Sequence, residues 1–210
     1  MFVFGRHSII TGFQGLKALT ISRAPFYSRQ KLWSLYLMCA FPLHIWTIIL
    51  AFRDISWVSE RTNMWDAIGV VSYGLLFAFI ESLLLFFVVA LIGAFVSRFW
   101  NNDRLLVLLS VLVLVVAIWS MLSQIYFLAD LPFLTKWNQF LAHSNHPARI
   151  KYAILIPLMS LSVLLPAWLI IKSEKGLAFF HGLIERVTLL TIFYLVFDII
   201  GLIIIIVRNF

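Results

Sequence analysis

Residues 105–117 read LLVLLSVLVLVVA, thirteen consecutive positions with no charge and no alternation of polar and apolar side chains. A strand of a membrane barrel must alternate lipid-facing with lumen-facing residues, so this run is helical. Extended toward the C-terminus it stays free of charge from 105 to 129, a stretch of 25 residues. A bilayer core takes about 20 apolar residues per helix. The stretch is therefore long enough to cross.

Four more stretches of the same kind occur, at 32–52, 67–97, 152–171 and 187–207. Of the 25 charged residues in the 210-residue chain, only Glu81 and Asp198 fall inside the five spans. The second span has 31 residues, about 46 Å of helix at 1.5 Å per residue, against a core of roughly 30 Å. It must tilt or project beyond the membrane. Pro157 and Pro166 lie within the fourth span and point to a kink there.

Composition agrees with this partition. The chain is 63% hydrophobic and 12% charged, with a mean hydropathy of +1.02. Soluble domains carry about 25% charged residues, so a water-exposed surface could not be covered. Twenty Phe, eight Trp and six Tyr exclude a disordered chain. Cys39 is the only cysteine, which excludes an internal disulfide framework. The expected fold is all-α: a polytopic bundle of five transmembrane helices over 32–210, preceded by a basic amphipathic segment at 1–31.

Orientation follows from Lys and Arg on alternate sides. Arg6, Lys17, Arg23, Arg29, Lys31, Arg98, Arg104, Lys172, Lys175 and Arg186 make ten on one side, and the other has six. The expectation is an N-terminus inside and a C-terminus outside, in a bacterial inner membrane or the inner membrane of an organelle.

The first segment is basic and free of acids. Ile9, Phe13, Leu16 and Thr20 recur at helical spacing, which fits a helix lying on an anionic leaflet. Its lipid-headgroup candidates are Arg6, Lys17, Arg23, Arg29 and Lys31; an organelle transit segment has a similar composition. Between spans three and four, Leu131, Phe133, Leu134, Trp137, Phe140 and Leu141 are enough for a short interfacial helix. His143 and His146 follow, with Pro147 beside them and no further ligand in view, so no metal site is assigned.

Ionisable groups at mid-span cost about 2.5–3.5 kcal/mol on insertion scales, so Glu81 and Asp198 need partners or a purpose. Gly74, Ala78, Glu81 and Ser82 share a narrow sector of the second span. Small residues admit a close neighbour, and Glu81 is expected in a packed interface. Thr188, Thr191, Tyr194, Asp198 and Gly201 form a polar stripe on the fifth span. With His44, and with Ser120, Ser123 and Gln124, they are expected to line one buried polar seam. Its ion or proton candidates are Glu81, Asp198, His44, Tyr194, Thr191 and Gln124.

No H-E-x-x-H, G-x-S-x-G, P-loop or C-x-x-C-H motif is present, and no cofactor is implied. The net charge of +7 gathers at the inner rim, where it suits anionic lipid heads rather than nucleic acid. The function expected first is a non-catalytic subunit of a larger membrane assembly, in contact with lipids and other membrane proteins. A small proton- or ion-coupled transporter using Glu81 and Asp198 is the alternative. An embedded enzyme acting on a lipid or isoprenoid comes third.

Overall fold

The computed structural model describes residues 28–210 apart from 98, 101 and 129–131. Arg6, Lys17 and Arg23, and with them the proposed interfacial segment, lie outside the described residues. The fold is an all-α membrane bundle, with six helices among the described residues: α1 (Arg29–Arg61), α2 (Met64–Val96), α3 (Asn102–Leu128), α4 (Pro132–Ala142), α5 (Pro147–Lys172) and α6 (Glu174–Asn209). All but α4 are long and apolar enough to cross a membrane. The described residues contain no strand.

Helices run past the expected span ends wherever local chemistry can close them. α1 continues through Arg53 and Asp54, which pair at 2.7 Å, to Arg61, whose guanidinium lies 3.9 Å from the centroid of the Trp57 ring. The α1–α2 connection thus shrinks to Thr62 and Asn63. Asn63 caps α2 by accepting from the Asp66 N–H at 2.8 Å and donating to the Asp66 carboxylate at 2.8 Å. Between α5 and α6 stands Ser173 alone, accepting from the Gly176 N–H at 3.1 Å. A Cβ on Gly176 would lie 2.8 Å from the Leu169 carbonyl oxygen, so this one-residue corner requires glycine. α4 is the short helix expected between spans three and four, and Pro147 opens α5 at a position where its missing N–H costs nothing.

α1 is the central helix. It packs against α2, α3 and α6, and its stretch Leu35–Ala40 is buried throughout. Leu35 and Cys39 meet Val89 of α2 and Leu105 and Leu109 of α3 in one apolar cluster. Met38 meets Val107, Val111, Ile170 and Ile184 in a second. α5, by contrast, buries only Ile170. Burial by protein therefore does not follow apolarity here, because lipid serves an apolar side chain as well as another helix does.

Ion pairs gather at the two ends of the bundle. At one, Lys31 meets Asp103 at 2.8 Å, and Arg104 bonds Glu174 and the Ile171 carbonyl. At the other, Arg208 bonds Asp66 and donates to the Trp65 carbonyl at 3.0 Å, and Asn209 donates to the Tyr73 hydroxyl at 2.8 Å. Helix starts and ends thus alternate as five crossings require.

Candidate functional site

α1 and α6 meet over a buried polar pair. His44 is 0% exposed and Asp198 7% exposed, and His44 Nε2 lies 2.8 Å from Asp198 Oδ2. The other ring nitrogen, Nδ1, lies 2.8 Å from the Ala40 carbonyl oxygen of its own helix. A carbonyl only accepts, so Nδ1 carries a hydrogen. One further proton lies between Nε2 and Oδ2. Either Nε2–H donates to a carboxylate, or the Asp198 Oδ2–H donates to a neutral imidazole. The pair is neutral as a whole in both arrangements, which is how two ionisable groups coexist in a hydrocarbon setting.

The pair is enclosed by close helix contact. Gly201, one turn beyond Asp198, brings α6 against α2: a Cβ there would lie 3.4 Å from the Ser72 carbonyl oxygen. Gly74 likewise lies against Thr47 of α1. The Asp198 Oδ1 atom, opposite the one that meets His44, is buried and makes no hydrogen bond to another protein group. The Tyr36 hydroxyl is buried beside Ser82.

The expected single polar seam is not what forms. Ser72, Ser82 and Thr191 are buried, but each hydroxyl donates to a carbonyl of its own helix, at 2.9, 2.7 and 2.8 Å. In-helix bonding of this kind is always within reach of Ser and Thr, and it uses the one hydroxyl proton, so that the oxygen can only accept from a neighbouring helix, as Ser82 does from Tyr36. Tyr194 stacks on Phe41 with centroids 6.2 Å apart and is not the Asp198 partner. Gln124 lies with Ser120 and Ser123 in a separate cleft of about 460 Å³ between α3 and α5. Beside it the Trp119 indole N–H donates to Ser162 at 2.9 Å. Of the residues expected to hold the acids, only His44 does so.

Glu81 corrects the sequence reading most sharply. It was expected in a packed interface, yet it is exposed on the outside of α2. Ala78 and Ser82, from the same sector, are buried. At about 100° per residue the four positions span roughly a quarter of the helix circumference. The contact with α1 centres on the Ala78–Ser82 side, and Glu81 falls over its edge.

Of the headgroup candidates, Arg29 is exposed at the start of α1 and Lys31 is tied to Asp103. His143 bonds the Gln139 carbonyl through Nδ1 at 2.7 Å, and His146 is the residue that precedes α5. Among the described residues no group of three or more His, Cys, Asp or Glu gathers in a metal-binding arrangement.

One feature was missed by the sequence reading altogether. A groove of about 1120 Å³ runs between α1, α2 and α6, from Arg29, Gln30 and Trp33 at its mouth, past Tyr36, to Asp198. Its wall on α1 is signalled by the spacing 29, 33, 36, and that on α2 by 76, 79, 83, 86, each one face of a helix. Only the assembled helices show that these faces meet.

No family model, no curated protein and no solved structure matches this chain.

Proposed function

We propose that this protein is a non-catalytic subunit of a larger membrane assembly, and that Glu81 is where a partner attaches. The observation that carries this reading is an exposed carboxyl in the middle of an apolar helix. Its neighbours Phe77, Ile80 and Leu84 are exposed as well, so the surface around it is hydrocarbon. A carboxyl there costs about 2.5–3.5 kcal/mol against lipid, and a basic or hydrogen-bond-donating side chain from another helix would recover that cost. The exposed Ser120, Ser123 and Gln124 on α3 offer a second polar contact of the same sort.

Purification in mild detergent from the native membrane tests the reading. The wild-type chain is expected to carry a stoichiometric partner, and Glu81→Gln to lose it while remaining folded and monodisperse. A wild-type particle made of this chain alone would remove the proposal.

A proton-coupled transporter is the second reading, favoured by the proton held between His44 and Asp198. It is weakened by the separation of Glu81 from that pair, since a relay needs neighbouring groups. In either reading the Arg29–Lys31 end belongs inside, on the ten-to-six balance of basic residues. A reporter after Phe210 should then respond as exported, and one in the α2–α3 loop as retained. The reverse pair of responses would invert the orientation.

A further inference from the structure

The groove between α1, α2 and α6 is unlike the rest of the lipid-facing surface. Its walls are almost wholly aliphatic and aromatic, and it has a cation at one end only. Arg29 to His44 is fifteen residues of continuous helix, about 22 Å at 1.5 Å per residue. His44 touches Asp198, which lines the far part of the groove, and Ile199 and Leu202 carry it one turn further. The groove is therefore more than about 22 Å long. A bilayer with its headgroups measures about 40–45 Å, so half of it is about 20–22 Å. The groove runs from headgroup level through one leaflet and about one helical turn beyond.

The two polar side chains that border it do not open onto it. Tyr36 and Asp198 are each 7% exposed, and the Tyr36 hydroxyl and Asp198 Oδ1 are shut off from any surface. What the groove offers along its length is Leu76, Phe79, Leu83, Phe86, Leu195 and Ile199. A ligand with its polar group deep inside would find nothing to bond. One with its polar group at the mouth would meet Arg29 and Gln30, both exposed, at the start of α1, where Ser28 Oγ already accepts from the Lys31 N–H at 3.3 Å. The first turn of α1 contains no acidic residue. Positive charge and helix dipole act there in the same direction.

We propose that the groove holds an anionic glycerophospholipid of the leaflet at the α1 N-terminal end, its phosphate at Arg29 and its acyl chain laid toward Asp198. The volume exceeds the roughly 300–1,000 Å³ of pockets for drug-sized ligands, as a long chain requires. This site stands apart from the assembly reading, because Glu81 lies on the other edge of the α2 face.

The test uses the full chain in detergent, incubated with phosphatidylglycerol or phosphatidylcholine of identical chains, and lipid retention counted by native mass spectrometry. Phosphatidylglycerol should be retained about fivefold better, the value of one basic residue near an anionic headgroup. Arg29→Gln should bring the two lipids close to parity. Leu83→Trp, an indole placed on a part-exposed wall of the groove, should release both. Equal retention of the two lipids by the wild type would overturn the proposal. So would a Leu83→Trp variant that keeps phosphatidylglycerol as the wild type does, or competition by glycerophosphate lacking chains, which would make the site one for free phosphate.

Discussion

Asp198 on α6 and Glu81 on α2 both stand in the middle of long apolar helices, and their surroundings are opposite. Asp198 is enclosed by three helices and bonded to His44, while Glu81 faces outward among Phe77, Ile80 and Leu84. The cost of a carboxyl in hydrocarbon is similar at both places. The chain meets it internally at Asp198 and leaves it open at Glu81. An acid balanced from within belongs to the architecture of the bundle, and one left open points to something outside it.

The largest expected effect tests the internal half of that contrast. Asp198→Leu leaves His44 Nε2 buried without its partner, and His44→Leu does the same to the carboxyl. Loss of one member of a buried pair costs about 3–5 kcal/mol, visible as a large fall in thermal unfolding temperature in detergent. The double variant His44→Leu/Asp198→Leu should recover most of the loss, because hydrophobic replacement of a whole pair is often neutral or better. Failure of the double variant to recover would show that the pair does more than balance itself.

A smaller effect is expected at Tyr36. Its hydroxyl is buried beside Ser82 of α2, so Tyr36→Phe gives up that contact between helices and leaves the ring on Trp33 and Phe86. A loss of about 1 kcal/mol is expected, read from the same unfolding curve. A gain would mean that the hydroxyl has no bond of its own. The smallest effect should come from Glu81→Leu in the isolated chain, within about 0.5 kcal/mol, because an outward-facing side chain keeps the same detergent surroundings when the helices separate. A destabilisation on the scale of Asp198→Leu would erase the contrast between the two acids.

How far these features are legible in the sequence depends on how local they are. The five crossings and the short α4 are written in runs of adjacent residues, and they form with longer ends than hydropathy alone marks. Arg53, Asp54 and Trp57 read as loop because they are polar or interfacial, yet helix continues wherever side chains satisfy one another along its surface. His44 and Asp198 stand out because each is rare in such a setting, and the structure pairs them. The exposure of Glu81 is a matter of some tens of degrees of helix rotation, decided by which neighbour α2 packs against. The groove is less local still, since its three walls come from opposite ends of the chain. Hydroxyls mislead in another way: Thr191 looks like a link between helices and donates to its own backbone.

The bond between His44 and Asp198 also has an order in time. Its partners are 154 residues apart, and at about 5–20 residues per second of synthesis they emerge roughly eight to thirty seconds apart. During that interval one ring nitrogen of His44 is without the partner it later finds. The other is already answered by Ala40 within the same helix, and a neutral imidazole is easier to keep waiting in lipid than a carboxylate. The chain presents the cheaper group first. When Asp198 arrives it finds its acceptor or donor in place, so the acid never has to enter the bilayer alone.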